Sequence, residues 1–175
     1  MTKTLIKIKC VDILRLWSID KYNKIEYNTD EVLYYMPIFG KKSKEQRNFL
    51  CKDLKRLVDE VIKVYDFSII CSHRDKTEQE NAFETGRSKA HFGQSAHNYN
   101  PSWAVDCHPY PAPVKQVKGT IVMDDDSKEW EVMVSLFKKK AKELGIDITC
   151  GADFKSFKDF PHIEISNWKE KVKDI

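Results

Sequence analysis

An apolar helical stripe followed at once by a β-forming segment is the feature that most restricts how this chain can fold. The residues of the stripe recur at steps of three and four positions, as on one face of a helix: Cys51, Leu54, Leu57, Val58, Val61, Ile62 and Tyr65. The next segment, Phe67–Cys71, is rich in β-forming residues and predicts a buried strand. The chain is therefore expected to pack a helix directly on a sheet.

Further periodic segments extend this pattern. They predict a helix over residues 77–85 that ends at Gly86, a strand over 103–107 stopped by the prolines that follow, a helix with its apolar stripe from Trp130 to Leu144, and strands over 146–150 and 162–165. The fold class that we expect is α+β, with a small antiparallel sheet flanked by helices. Lys138, Lys139 and Lys140 belong to the solvated flank of the later helix.

The N-terminal part of the chain differs from the rest. Residues 39–44 form a short basic stretch that divides an aromatic-rich segment from the periodic region. We therefore predict an N-terminal extension over residues 1–45, packed on a main domain over residues 46–175. In the extension, Ile6, Ile8 and Cys10 alternate with lysines, which indicates an edge strand.

Composition excludes several classes of protein. The chain has 175 residues and a net charge of only +3, which disfavours a dedicated nucleic-acid binder. No apolar stretch is long enough for a signal-peptide core or a membrane span. The five cysteines are widely spaced and lack a C-x-x-C pair, so neither a disulfide framework nor a thiolate zinc site is indicated. Synthesis in a reducing cytosol is expected, without stable membrane insertion.

Side chains of the kind that bind metals cluster in two short segments. His97 and Asp106 belong to the first, and Asp159 and His162 to the second. A hydrolytic zinc site commonly uses three ligands from His, Asp and Glu and leaves one position for water. His97, Asp106 and His162 would satisfy that count. Asp159, three residues before His162, could accept a proton from the water, and Arg74 could stabilise an oxyanion.

The spacing of these residues also permits structural roles. His97 could be a loop histidine bonded to Ser95, and His162 a core histidine. Arg74 could pair with Glu78 or Asp75 across a helix start. Glu164 should share a strand face with His162 and could line a cleft or form a salt bridge within the sheet.

The motifs taken together resemble the M15 metallopeptidases, and most closely the L-alanyl-D-glutamate peptidases of phage endolysins. The resemblance covers residues 47–166. It is carried by the run from Cys71 to Gln79, then Phe83, Gly86-Arg87-Ser88-Lys89, Ser95-Ala96-His97-Asn98, Pro101-Ser102, Ala104-Val105-Asp106, Leu144-Gly145, Gly151, Phe154 and Asp159-Phe160-Pro161-His162-Ile163-Glu164.

The resemblance implies a zinc peptidase that cuts the stem peptide of bacterial peptidoglycan, with a fold like that of D-Ala-D-Ala carboxypeptidases and hedgehog domains. By position, His97, Asp106 and His162 match the zinc ligands, Asp159 the acid/base, and Arg74 the arginine that polarises the carbonyl. Supporting or substrate-binding roles fall to the remaining cleft residues: Gln79, Ser88, Ser95 and Glu164. A phage endolysin would be made in the host cytoplasm, reach the wall after release, and act as a monomer.

Two departures and three alternatives accompany the resemblance. Asp106 stands nine positions after His97, where many relatives have a step of seven, and residues 152–154 replace a common Gly-Asp-Trp sequence. Within the family, cleavage at D-Ala-D-Ala is an alternative to the L-Ala-D-Glu bond. Other classes are a thiol hydrolase using Cys107 or Cys71, and a peptidoglycan-binding or virion protein without turnover.

Overall fold

A four-stranded antiparallel sheet forms the centre of the molecule. The computed structural model of the protein describes residues 4–8, 24–25 and 32–174, with side chains over residues 37–173. The strands of the sheet stand in the order β4-β5-β9-β8, with these bounds: β4 (Phe67–Cys71), β5 (Ala104–Pro109), β8 (Ile148–Cys150) and β9 (His162–Ile165). Strands β5 and β9 are therefore central, and each has a hydrogen-bonded neighbour on both sides.

The two faces of the sheet have different chemistry because successive strand residues point to opposite sides. On one face, Val105, Cys107, Ile163 and Ile165 join the main hydrophobic core. On the other face, Asp106 and His162 stand opposite each other on neighbouring strands. The β-strand alternation thus places a packed core behind the sheet and a polar site in front of it.

Two helices cover the core face. Helix α2 (Lys52–Val61) buries Leu54, Leu57, Val58 and Val61, which belong to the predicted stripe. Helix α4 (Lys128–Leu144) buries Trp130, Met133, Val134, Phe137 and Ala141. It begins after the capping residue Ser127 and ends at Gly145, whose φ of 68° is a left-handed conformation that glycine adopts readily.

The outer edge of β4 is covered by a short helix. Helix α1 (Lys41–Asn48) places the Ser43 hydroxyl where it accepts a hydrogen bond from the Ile69 amide at 3.1 Å, and the Gln46 side chain accepts one from the Ser72 amide at 2.9 Å. These side chains bond backbone groups at this edge, which would otherwise be available for pairing with another strand. Helix α3 (Lys76–Glu84) follows β4 and starts with a capping box between Asp75 and Glu78.

The smaller elements lie outside the central sheet. Strands β1 (Thr4–Ile8), β2 (Lys24–Ile25) and β3 (Val32–Met36) form a three-stranded antiparallel sheet in the order β1-β3-β2. A two-stranded hairpin consists of β6 (Val114–Val117) and β7 (Thr120–Met123). The described part of the chain ends with helix α5 (Trp168–Lys171) and a 3₁₀ turn, Val172–Asp174.

The predicted α+β class with a helix-flanked antiparallel sheet is confirmed. The predicted strand over 103–107 begins one residue later and extends to Pro109, and that over 146–150 starts at Ile148. Helix α1 and the β6–β7 hairpin were not predicted. The edge strand near Ile6 agrees with β1, whereas Cys10 lies outside the described residues. The division at residue 45 stays a prediction. In the described part of the chain, every helix is too short or too polar to span a membrane.

Candidate metal centre and cleft

The polar face of the sheet collects residues from three strands and one loop. Asp106 on β5 is the cross-strand partner of His162 on β9 and is also paired with Cys71 at the end of β4. His97 comes from a 3₁₀ turn, Ala96–Asn98, in the loop between α3 and β5. Both histidines are buried, whereas the side chain of Asp106 keeps 20% of its surface exposed.

Three potential ligand atoms meet at the centre of this face. His97 Nε2 lies 3.1 Å from Asp106 Oδ1 and 3.3 Å from His162 Nδ1. His162 Nδ1 lies 3.1 Å from the same Asp106 oxygen. A tetrahedral ion with bonds of about 2.0 Å holds its ligands roughly 3.3 Å apart. The three separations therefore match one triangular face of a tetrahedral coordination sphere.

The second nitrogen of each imidazole fixes which ring atom carries the proton. His97 Nδ1 is hydrogen-bonded to the carbonyl oxygen of Ser72, which can only accept, so Nδ1 is the donor. His162 Nε2 lies 3.1 Å from a carboxylate oxygen of Glu164, to which it donates. In the neutral rings, His97 Nε2 and His162 Nδ1 therefore direct lone pairs at the carboxylate of Asp106. Three acceptor atoms face one another, an arrangement that a cation between them stabilises.

The local electrostatics also favour positive charge at this point. Burial opposes ionisation of Asp106, but the imidazoles of His97 and His162 hold the pKa of its carboxyl well below the usual range. Burial likewise opposes a charged His162, yet its bonds to Asp106 and Glu164 raise its pKa to about 10. Two carboxylates beside one imidazole thus make the centre a place where a cation is stabilised.

Cys71 offers a further ligand atom beside this centre. Its Sγ, a ligating atom of His97 and one of Asp106 all lie within 4.8 Å of one another. Burial, assisted by the charge of Asp106, raises the pKa of the Cys71 thiol to about 11. Either Cys71 or His162 can therefore supply the third metal ligand beside His97 and Asp106.

Arg74 is held against the centre by two side chains. Its Nη2 donates to Asp106 Oδ2 at 3.3 Å, and its Nη1 donates to Gln79 Oε1 at 3.3 Å. Asp75 and Glu78, the alternative partners considered above, bond each other's backbone in the capping box of α3. Each terminal nitrogen of a guanidinium carries two hydrogens, so one N–H remains on each after these contacts.

Gln79 joins Arg74 to the loop after α3. The residue is fully buried, and all four hydrogen-bonding positions of its amide are used. Its oxygen also accepts from Asn98 at 3.1 Å, while its nitrogen donates to Ser88 Oγ at 2.8 Å and to the Ala90 carbonyl at 2.6 Å. Ser88 is therefore part of the framework that fixes this loop.

Ser95 supports the turn that carries His97. Its hydroxyl accepts a hydrogen bond from the His97 amide at 3.3 Å, and the Asn98 side chain accepts one from the Ser95 amide at 3.1 Å. This reciprocal cap holds the short turn in shape. Ser95 bonds the backbone of His97 and leaves the ring of His97 directed at Asp106 and His162.

Asp159 lies next to the centre on a tight turn that leads into β9. The amide of Asp159 donates to the carbonyl of Gly151 at 3.1 Å, and the amide of His162 donates to the carbonyl of Asp159 at 3.2 Å. Burial, with a further contribution from the charge of Asp106, raises the pKa of the Asp159 carboxyl. A raised pKa brings a carboxylate closer to the range in which it exchanges protons near neutral pH.

An open cleft runs over this face. Its lining includes Arg74, His97, Asp159, His162 and Glu164. Phe154 and Phe157 contact each other on one side, with ring centres 5.6 Å apart, and Trp168 lies at another part of the wall. The two histidines of the centre therefore line a cleft that also has aromatic and basic residues in its lining.

The structure brings together nearly every residue that the sequence singled out. His97, Asp106 and His162 are mutual neighbours, and Arg74 and Glu164 bond two of them. The Ser72 carbonyl and Cys71 were missed as neighbours of the site. A backbone carbonyl leaves no signature in a sequence, and the position of Cys71 depends on strand register.

Comparisons with known proteins identify a family and solved structures with a similar fold. Residues 36–168 match the family described as phage L-alanyl-D-glutamate peptidase. The chain is similar to the solved structure of the L-Ala D-Glu endopeptidase ChiX of Serratia marcescens, with a TM-score of 0.58 and 22% sequence identity. That match covers 76% of this chain and 93% of the other, and it concerns the fold. Among curated proteins, no match is found.

Replacing Gly151 by alanine tests how the turn before β9 holds the centre. A Cβ at Gly151 would lie 2.3 Å from the Asp159 carbonyl oxygen and 3.0 Å from the His162 Cβ, so the turn must move. We expect a loss of about 1–3 kcal/mol in the free energy of unfolding and weaker binding of first-row divalent metals. Denaturant titration and metal titration measure the two effects.

Gly40→Ala is the control for metal affinity, because a Cβ there meets nothing within 4 Å and its φ of −65° suits any residue. Gly40 is the N-cap of α1, where alanine is less favourable than glycine, so a small loss of stability is expected from the cap alone. If Gly151→Ala and Gly40→Ala had the same stability and metal affinity, the close approach at Gly151 would not support the site.

Proposed function

The chain belongs to the family of phage L-alanyl-D-glutamate peptidases, and from this premise we propose that it cuts the L-Ala-D-Glu bond of the peptidoglycan stem peptide by means of one zinc ion. The observation that carries the proposal is the convergence of three potential ligand atoms, two imidazole nitrogens and a carboxylate oxygen, beside a cleft. Peptidoglycan is the polymer on which a phage-type peptidase acts.

The proposed ligands are His97 Nε2, Asp106 Oδ1 and His162 Nδ1. Two imidazoles and one carboxylate are a donor set that zinc accepts in hydrolytic sites. His162 is preferred to Cys71 as the third ligand because its other ring nitrogen donates to Glu164, the outer contact that ligating histidines usually make. A zinc ion bound there would polarise the scissile carbonyl and lower the pKa of a water molecule.

Asp159 is the proposed acid/base. Its carboxylate accepts a proton from the attacking water and then delivers that proton to the nitrogen of the departing D-Glu. The raised pKa of Asp159 supports this role, because a group that must accept and release a proton works best near the operating pH.

Arg74 is proposed to stabilise the carbonyl oxygen of the L-Ala residue as it gains negative charge. Each terminal nitrogen of Arg74 retains an N–H beyond its bonds to Asp106 and Gln79, and Arg74 lines the cleft. A donor already held in place loses little freedom when the oxyanion forms, which favours the transition state. Gln79, Ser88 and Ser95 are proposed to keep these groups in position.

A thiol mechanism has less support. Cys107 is fully buried, and burial raises the pKa of its thiol well above the usual value. Cys71 has a raised pKa for the same reason. A nucleophilic cysteine needs a lowered pKa, so neither residue has the environment of an activated thiolate.

The wider biological role is also proposed. The enzyme would be made in the cytoplasm of an infected bacterium and reach the wall after release, as a monomer that binds neither nucleic acid nor membrane. The small net charge of +3 supports the absence of nucleic-acid binding.

Digestion of purified peptidoglycan tests the function directly. We expect new L-Ala carboxyl ends and D-Glu amino ends, identified by mass spectrometry. These products should vanish when a chelator is added and return when zinc is restored. Intact peptidoglycan from several wall types would contradict the peptidase proposal, and chelator-resistant cleavage would contradict the metal.

Replacing Asp159 by asparagine tests the acid/base. The amide cannot accept the proton, so we expect kcat to fall by about 100-fold to 10,000-fold. Zinc affinity should remain within a few-fold of the parent protein. Asp153→Asn is the matched control, because Asp153 lies in the same loop, is exposed and pairs with Lys138. Retained cleavage in Asp159→Asn would contradict the proposed acid/base role of Asp159.

Replacing Glu164 by alanine tests the outer contact of the metal centre. Without the carboxylate, His162 loses the acceptor that fixes its ring, and we expect zinc affinity to fall about 10-fold to 100-fold. Competition with a chromophoric chelator measures the dissociation constant. Glu170→Ala, at an exposed glutamate of α5, should leave it unchanged. Equal affinities in the two variants would rule out a role for Glu164 in holding the ligand.

A further inference from the structure

The walls of the cleft carry basic side chains that have no acidic partner among the side chains described, residues 37–173. Arg87, Lys89, Lys158 and Lys169 are exposed and line the cleft. The contacts found for them among the described residues are to neutral groups, such as the Thr85 hydroxyl for Arg87 and the Trp168 ring for Lys169. Basic residues elsewhere do pair with acids. Lys115 bonds Asp124 and Asp126, and Lys138 bonds Asp153.

Acidic groups in the lining lie only near the floor of the cleft. Asp159 and Glu164 are the acidic residues among the described side chains that line it, and Glu164 is bonded to His162. The walls therefore present positive charge to whatever enters. Such a surface attracts an acidic peptide and repels a basic one.

Lys158 is held in the cleft wall by a hydrogen bond to the backbone. Its Nζ donates to the Ala152 carbonyl at 2.7 Å, a contact to the 3₁₀ turn Gly151–Asp153. That turn also accepts the Asp159 amide through Gly151. An ammonium group has three hydrogens, so two remain available in the cleft. Most exposed lysines lose side-chain freedom when they bind an anion, and here part of that loss has already occurred.

The order of the reaction indicates which part of a peptide Lys158 meets. This step rests on the proposed function. Asp159 delivers a proton to the departing amine, so the residue that supplies that amine lies on the Asp159 side. In an L-Ala-D-Glu bond that residue is glutamate. A glutamyl residue has two carboxyl groups, and a linear peptide continues from only one of them, so one carboxylate stays free.

We propose that Lys158 is a specificity-determining residue that binds the free carboxylate of the D-Glu residue on the leaving-group side of the scissile bond. The contact selects a glutamyl peptide over its carboxamide analogue. The other basic wall residues supply general attraction for acidic peptide.

Two synthetic stem peptides test the assignment. They share the sequence L-Ala-D-Glu-L-Lys and differ only in whether the free carboxyl group of the glutamyl residue is a carboxylate or a carboxamide. With the zinc-loaded full chain, kcat/KM should be about fivefold higher for the carboxylate, the scale of an exposed ion pair. Lys158→Gln should lose about fivefold on the carboxylate peptide and nothing on the carboxamide. Gln removes the charge and keeps a side chain with an N–H donor.

Two further variants separate charge from structure. Lys158→Arg keeps the charge and should restore discrimination between the peptides. Lys155→Gln removes a charge from an exposed residue of the same loop outside the cleft lining and should behave as the parent protein does. Raising the salt concentration should reduce the preference for the carboxylate.

The assignment is overturned if Lys158→Gln loses equally on both peptides, or if discrimination disappears only when Arg87 and Lys89 are replaced. Binding of the two peptides to the zinc-loaded Asp159→Asn variant, measured by calorimetry, separates this inference from the function. A parent protein that cleaves neither peptide contradicts the proposed function, while a carboxylate preference in binding that depends on Lys158 still upholds the inference. Equal binding of both peptides overturns it.

Discussion

The rest of the site depends on three potential metal-ligand atoms that lie within 3.3 Å of one another. A carboxylate oxygen and two imidazole lone pairs repel one another unless positive charge lies between them. The protein accepts that cost at the middle of its central sheet, where strands β5 and β9 are each paired on both sides. A site assembled on central strands keeps its geometry because neither strand can move without breaking hydrogen bonds to two neighbours.

The surrounding hydrogen bonds explain how the cost is met. The Ser72 carbonyl and the Glu164 carboxylate each accept a hydrogen bond from one imidazole. The other nitrogen of each ring therefore points toward the centre. Arg74 binds the second oxygen of Asp106, so the first oxygen remains directed at the histidines. His97 and Asp106 are thus oriented by groups from other segments of the chain, and His162 is oriented by Glu164 on its own strand. Removal of one such group would leave all three potential ligands in the sequence and would still disturb their geometry.

Sequence patterns predicted the parts of this design that have a period. Alternation along β9 predicted that Glu164 would share a face with His162, and the helical stripes predicted α2 and α4. The pairing of Arg74 with Asp106 could not be predicted, because Asp75 and Glu78 lie much closer to Arg74 in the sequence. Only the structure shows that these two residues bond each other's backbone in the capping box. Helix α1 has a single buried residue, Ser43, so its sequence has no apolar stripe from which a helix could be predicted. Both strands of the β6–β7 hairpin are exposed on both faces, which removes the alternation that reveals a strand.

The loop between β8 and β9 links binding of the metal to choice of substrate. Gly151 is packed so closely under Asp159 and His162 that no larger residue fits without moving them. The next residue, Ala152, supplies the carbonyl that fixes Lys158 in the cleft wall. One short segment therefore sets the position of a proposed ligand, the proposed acid/base and a basic group of the wall. A change at Gly151 therefore alters all three together, whereas replacement of the Lys158 side chain changes only the cleft wall. Arg87 and Lys89 lie on the loop after α3 and line the same cleft, where their charges add general attraction for acidic peptide without a contact to this loop.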